Sequence, residues 1–477
     1  MMYRTFTSLA TLTLLSACAG FMPAAQVPMA VAPAWQTPLP HQGSVAALSD
    51  WWARQGDPVL VALIEAAQAQ NPSVAQAVSR IATARANQAA AFGALMPNLN
   101  AQASASRGQV QGQGAAAAPI ETTLQGGLQA SWELDLVGAN RAVNRAAQAQ
   151  LEGSQAQWHD ARVSVAAEVA SLYHSHATCQ QQLTLAQQDA ASRQETARVT
   201  GISAKAGFVA PSVAAMARAS AAESNSRLIV QAAACEIDLK ALVALTAIPE
   251  PDLKQKLAIN HVNRGAIALF SVASLPAQTV SQRPDVFAAE RDVVLASAQV
   301  GSAKAQRWPR LTLNGSIGSV QVRSDAGRGD GTTWSFGPLA VSLPLFDGGQ
   351  RAANVDAAQA NYQAVVSNYQ SKVRHAVREV EEALIQVQSA QARTEHARVA
   401  TQGFAQSLAA TQSRSDQGLA SLLELEDARR SALSAQSSEL ALGLEQKRAW
   451  INLYRAVGGG FEPDKLNAQT TPVALSQ

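Results

Sequence analysis

Between residues 122 and 136 the side chains alternate in character. Leu124, Gly126, Leu128, Ala130, Trp132, Leu134 and Leu136 fall on one phase of a two-residue period. Thr123, Gln125, Gly127, Gln129, Ser131, Glu133 and Asp135 fall on the other. Such alternation predicts a strand with one apolar and one polar face. A partner strand is expected over 98–106, joined to it by the small-residue loop "GQVQGQGAAAAPIE". The plan recurs at 310–322 and 333–346, with "SDAGRGDGT" between. Trp132 and Trp334 suit aromatic girdles at a membrane surface. A soluble antiparallel sheet would carry the same alternation.

Elsewhere the period is helical. A helical pattern runs from Pro58 to about Leu95 and is broken at Asn71-Pro72, where proline restricts the preceding residue. Residues 138–206 contain no proline and predict a helix of roughly 100 Å. A second helix is expected to return over 211–247. The later half repeats the pair at 349–416 and 420–457. There Tyr362, Val366, Tyr369, Val373, Ala376, Val380, Ala383 and Val387 step by four and three, the seam of a coiled coil. Helices this long exceed one globular core and call for a bundle or cylinder of stacked helices.

The two halves are copies of one unit. Pro72 and Pro284 stand 212 positions apart, as do Pro97 and Pro309. Gly138 and Gly349 are separated by 211 positions, and so are Gly207 and Gly418. This divides the chain into a first repeat at 58–248, a linker at 249–275, a second repeat at 276–462 and a polar tail at 463–477. The period is far longer than that of a solenoid.

Composition narrows the partners. A net charge of +2 offers no field for a nucleic acid. Past the N-terminus no run of eighteen apolar residues would let a helix span a bilayer. Residues 1–17 read as a secretory signal, with Arg4 at the positive end and a short apolar core from Leu9 to Leu15. The segment Leu15-Ser16-Ala17-Cys18 resembles the processing site of bacterial lipoproteins. That resemblance implies cleavage before Cys18 and acylation of its sulfur and new amino group. Ala19 stands where an Asp would favour the inner membrane, so the outer membrane is expected. The alternative is an ordinary signal peptide with an incidental cysteine. Residues 18–57, rich in proline, read as an extended linker from the lipid.

Cys179 and Cys235 lie equally far from Gly207. Antiparallel helices turning there would set the two thiols side by side in an oxidising compartment, which predicts a disulfide. Two buried free thiols are the alternative.

The chain carries none of the spacings that mark a catalytic serine, a zinc protease or a phosphate-binding loop. His174 and His176, two apart on a helix, point away from each other and read as surface histidines. No enzyme activity, metal or cofactor is expected beyond a covalent lipid on Cys18.

Four amphipathic strands cannot close on themselves, and open sheet edges are not tolerated in lipid. The smallest membrane barrels have eight strands, so chains must pool them; three would supply twelve.

The residues around these strands carry a specific likeness. "PNL" and "PRL" open the first strand of each half, followed by "WELDLVG" (Trp132–Gly138) and "LPLFDGGQRAA" (Leu343–Ala353). "QGLASLLELEDARRSAL" (Gln417–Leu433) and "INLYRAVGGGF" (Ile451–Phe461) complete the set. In these, across nearly all of the mature chain, the sequence resembles the TolC/OprM family of outer-membrane efflux ducts, in its NodT-like lipoprotein branch. The resemblance implies a mainly α protein with membrane β: a homotrimeric twelve-stranded barrel continuous with a long periplasmic α-helical barrel. It implies a passive channel that accepts small molecules from a periplasmic adaptor and an inner-membrane pump, which supplies the energy.

The family's periplasmic gate carries two acids in the pattern acid-x-x-acid-Ala. Glu424 and Asp427 match it, with Glu in place of the first Asp. Three residues apart on a helix they share a face, and three-fold symmetry would stack them as two acidic rings. Like charges packed closely would raise some of their pKa values. A solvated helix face is the plain alternative. Ser415 and Ala420 stand where the family has a closing Tyr and Arg, so Arg414 or Arg429 are the candidates to substitute. Adaptor contacts are expected at the tips around Gly207 and Gly418.

Two rivals remain open. A duct for type I protein secretion would share the tube. A periplasmic coiled-coil adaptor would share the heptads but lack the four alternating strands.

Overall fold

The computed structural model describes residues 22–29, 31–32, 34–37, 51–109, 120–259, 276–324 and 327–462. Cys18, the signal segment and the tail at 463–477 lie outside the described residues. The chain divides into two units. The first takes residues 79–155 and 288–371 with the N-terminal 1–28; the second takes 29–78, 156–287 and 372–477.

The first unit holds one sheet, β1 (Asn98–Gln109), β2 (Ile120–Leu134), β3 (Arg310–Ser324) and β4 (Gly327–Ser342). Its order is β1-β2-β3-β4, all antiparallel. The register sets Leu128 opposite Ile317 and Ile317 opposite Trp334. It also sets Trp132 opposite Leu313 and Leu134 opposite Leu311, which faces Val341. Directly paired residues share a face, so the apolar phase of β2 falls on one side with Leu311, Leu313 and Ile317 of β3 and Trp334, Leu339 and Val341 of β4. Leu128, Ile317, Trp334 and Val341 are exposed there. Val320 and Val322, at the far end of β3, lie opposite Gln125 and Thr123 on the other side. β1 and β4 are the sheet's edges.

The strand bounds differ from expectation at β4. Residues 343–346 lie beyond the ladder because Pro344 has no N–H to give it. The loop read between 322 and 333 is mostly strand, since β3 and β4 stay paired from Val322–Gly329 to Ser324–Gly327. Trp334 sits midway along β4, opposite Ile317 in the middle of β3. Trp132 does lie near the strand end, where its indole donates to the Leu95 carbonyl at 3.0 Å.

Fourteen elements include ten helices among the described residues, here α1 to α10. Short ones come first: α1 (Trp51–Arg54), α2 (Pro58–Gln70) and α3 (Pro72–Gly93). Asp57 caps α2, accepting from the Val59 and Leu60 amides at 3.1 Å, and its other oxygen accepts from the Tyr173 hydroxyl at 2.6 Å. The first long pair is α4 (Ala139–Lys205) and α5 (Pro211–Thr246), and the second is α9 (Gln350–Asp416) and α10 (Leu422–Ala456). Between them stand α6 (Glu250–Ile259), α7 (Pro276–Ser281) and α8 (Pro284–Ala305).

Two segments read as linker are structured. Residues 250–259 form α6, whose first turn carries Glu250 and Asp252 and whose last carries Lys256, as the helix dipole favours. Leu253 and Leu257 bury against the second unit's core. Trp51 and Trp52 belong to that core as well: Trp51 stacks on Tyr454 at 4.7 Å between ring centroids. Two indoles bury too much apolar area to remain in an extended tether.

The core also gathers Leu60, Leu63, Tyr173, Leu242, Leu384 and Ile451. On α9 the seam residues Tyr369, Val373, Ala376, Val380, Ala383 and Val387 are all buried. Gly458, at φ +91°, closes the run "AVGGGF": a Cβ there would strike the Gln282 carbonyl. Arg283 follows Gln282 and is buried, bonded to Asp285, to Glu379 at 2.7 Å and to the Ala456 carbonyl at 2.8 Å.

Candidate functional site: the helical tips and the polar cleft behind them

Both long hairpins turn through the same local structure. After α4, Gly207 takes φ +81° and the Phe208 amide donates to the Ser203 carbonyl at 2.9 Å. After α9, Gly418 takes φ +74° and the Leu419 amide donates to the Arg414 carbonyl at 2.8 Å. A bond reaching back five residues over a left-handed glycine is the Schellman ending. It leaves an apolar side chain at the same place on each tip: Phe208 is 84% exposed and Leu419 65%.

α10 starts differently from α5. Ala210 precedes Pro211 with no side-chain cap, whereas Ser421 and Glu424 form a capping box. The Ser421 amide donates to the Glu424 carboxylate at 2.7 Å, and the Glu424 amide donates to the Ser421 hydroxyl at 3.2 Å. The backbone bond from Ser421, then its side-chain bond, with Arg414 nearby, hold the Glu424 carboxyl below the usual range. Within one chain donors, not like charges, surround the group.

Asp427 pairs with Arg430 at 2.6 Å, three residues on and largely exposed. Such a pair contributes little by itself. Glu424 and Asp427 are thus each engaged by a neighbour on their own helix. Arg414 reaches the Leu419 carbonyl at 3.1 Å and belongs to the tip.

Between the hairpins lies a cleft of about 600 Å³, lined by Asp189, Arg193, Ser220, Glu426, Asp427 and Arg430 among others. Its wall is a charge network. Arg193 on α4 bonds Asp189 at 2.7 Å, the Ser220 hydroxyl of α5, and Glu426 of α10 at 2.8 Å. Glu426 in turn bonds Arg429 at 2.6 Å, and Arg429 reaches back to the Thr196 hydroxyl at 3.3 Å. Arg227 lies 3.5 Å from Asp189. The four central side chains are between 8% and 14% exposed. Asp189 with Arg193, and Glu426 with Arg429, have the spacing of helical ion pairs, which is visible in sequence. Their meeting across the hairpins is not, because it joins positions 233 residues apart.

Further along the first hairpin, Cys179 and Cys235 form a disulfide with Cα atoms 5.5 Å apart. Beside it the Ser175 hydroxyl donates to Asp238 at 2.8 Å, and His176 Nδ1 lies 3.2 Å from the Cys235 carbonyl. His174 and His176 are both buried, contrary to the surface positions read from sequence. The returning helix α5 covers His176, whose ring meets the Cys235 carbonyl.

No described helix is long and apolar enough to cross a membrane. The sheet offers an apolar face on which Leu128, Ile317, Trp334 and Val341 are exposed.

Comparison with known proteins agrees with this arrangement. The profile of the family "Outer membrane efflux protein" matches residues 63–247 and 275–459. Nodulation protein T of Rhizobium leguminosarum bv. trifolii is 30% identical over 441 residues, spanning 90% of this chain and 93% of its own. The solvent efflux pump outer membrane protein SrpC of Pseudomonas putida is 28% identical over 411 residues, 85% of this chain and 86% of its own. The open-state crystal structure of the MtrE outer membrane channel of Neisseria gonorrhoeae superposes with a TM-score of 0.76 at 26% identity. It covers 93% of this chain and 98% of that one.

Proposed function

The chain belongs to the outer membrane efflux protein family, and on that premise we propose that it is the outer-membrane channel of a tripartite pump. It passively conducts small toxic molecules handed over by a periplasmic adaptor and an inner-membrane transporter. The observation that carries this reading is the sheet. It has four strands, one apolar face and two open edges, β1 and β4. Lipid admits no such edge, so β4 of one copy joins β1 of the next. Three copies close a twelve-stranded barrel. The two family matches are themselves 212 residues apart at start and end, which supports a chain built as two repeats.

Nothing in this reading needs enzymatic chemistry. The channel is tethered through acylated Cys18, and the pump selects the cargo. Phe208 and Leu419 on the tips are the apolar contacts offered to the adaptor. Glu424 and Asp427 ring the periplasmic end and favour cations. The Arg193–Glu426 pair holds the two hairpins of each protomer together in the resting state.

Single-channel recording in a planar bilayer tests the proposal. The purified protein should give a small, cation-preferring conductance that grows in Glu424→Ala/Asp427→Ala. A double variant indistinguishable from the parent removes the acidic rings. No conductance from either, with a monomeric water-soluble protein, removes the channel.

A further inference from the structure

The helix α8 runs into β3 through Arg307-Trp308-Pro309-Arg310, and its end is tightened by short turns. The Arg307 amide donates to the Lys304 carbonyl at 3.2 Å and the Trp308 amide to the Ala305 carbonyl at 3.0 Å. These turns bring Lys304, Arg307 and Trp308 to one cleft of about 760 Å³, closed by Leu343, Asp356 and Gln359.

The charges of this cleft are unspent. The side chains of Lys304, Arg307 and Asp356 make no hydrogen bond or ion pair with another described residue. Elsewhere in the same unit the acids and bases that follow the strands are paired, Asp135 with Arg141 at 3.3 Å and Asp347 with Arg351 at 2.9 Å. The rim is apolar and continuous with the sheet. Leu343 directly follows β4, next but one to Val341 on the apolar face, and is 48% exposed, as is Trp308. An indole half in and half out is the habit of a membrane–water boundary.

We propose that this cleft binds the headgroup of an ethanolamine phospholipid of the periplasmic leaflet. Lys304 and Arg307 take the phosphate, for which a guanidinium supplies paired donors. Asp356 takes the ammonium, and the acyl chains leave along Leu343 and Val341. A glycerol headgroup can offer Asp356 only neutral hydroxyls and no cation. A choline headgroup has no N–H to donate to it. The inference rests on the outer-membrane location and not on the gate.

The test uses the full-length protein, purified and stripped of lipid in detergent. Binding and thermal shift are followed with phosphatidylethanolamine, phosphatidylglycerol and phosphatidylcholine of identical chains. The ethanolamine lipid should bind about tenfold more tightly than the choline lipid, the size of one charge-assisted bond. K304Q/R307Q should lose the response to all three. D356N should still bind all three lipids but lose the preference for ethanolamine over both choline and glycerol. Equal binding of all three lipids, or an unchanged K304Q/R307Q, overturns the site. Bilayer conductance is recorded for each variant, so a lost channel is told apart from a lost lipid.

Discussion

Arg193 and Glu426 sit on different hairpins and meet at 2.8 Å with their side chains 9% and 14% exposed. A guanidinium so placed bridges two acids at once, since Asp189 lies 2.7 Å from its Nε. Removing one member of a buried charge set is costly because the partners stay behind.

Arg193→Ala should therefore destabilise the helical hairpins by about 3–5 kcal/mol, read as a lower thermal midpoint by circular dichroism. Glu426→Gln, which keeps the shape but releases the charge, should raise open-channel conductance with a smaller loss of stability. A variant pair with parental melting and parental conductance would leave the network without a role.

The disulfide closes a segment of 56 residues. By loop entropy its removal costs at most about 4 kcal/mol. Cys179→Ser/Cys235→Ser should lower the thermal midpoint, and a reductant should do the same to the parent but not to the variant. Equal midpoints in all four samples would show that the bond is dispensable.

His159 supplies a pH dependence. Burial, and secondarily Arg162, push its pKa down to about 4 from 6.5. The folded state holds the neutral ring, so the unfolded chain binds the extra proton between those values. Stability is whole above pH 6.5 and falls as pH drops towards 4, by about 3 kcal/mol in all. His159→Phe should flatten this part of the stability profile. Asp160, raised by burial and then by Asp285, acts in the opposite sense and is common to both proteins. An acid limb unchanged in His159→Phe would assign it to another group.

Phe208 and Leu419 point from matching places on the two tips. Phe208→Asp/Leu419→Asp should abolish drug efflux in cells and capture of the adaptor, with conductance in bilayers intact. Efflux at the parental level would move the docking surface elsewhere.

Much of this was legible in the sequence because it repeats locally. The alternation from Leu124 to Leu134 yields β2, and the heptad from Tyr369 to Val387 yields a buried seam, since each depends on a fixed period. Gly207 and Gly418 announced their turns because left-handed backbone favours glycine. The distance of Cys179 and Cys235 from Gly207 foretold their meeting. Trp51 and Trp52 were hidden by prolines around them, and their burial depends on Tyr454, far along the chain. Residues 250–259 lacked the length that makes a helix stand out. Glu424 and Asp427 were found by likeness, while Glu426 between them was passed over. Its value comes from Arg193, and no local rule joins those two positions.

The open edges of the sheet have a genetic consequence. If every barrel draws its strands from three copies, a defect in one copy is shared by its partners. A proline in β1 would spoil the seam in any assembly that includes it. With half the copies altered, only about one assembly in eight would be wholly sound under random three-fold mixing. Such alleles should behave as dominant, and a cell expressing one beside the normal gene should be nearly as drug-sensitive as one lacking the channel.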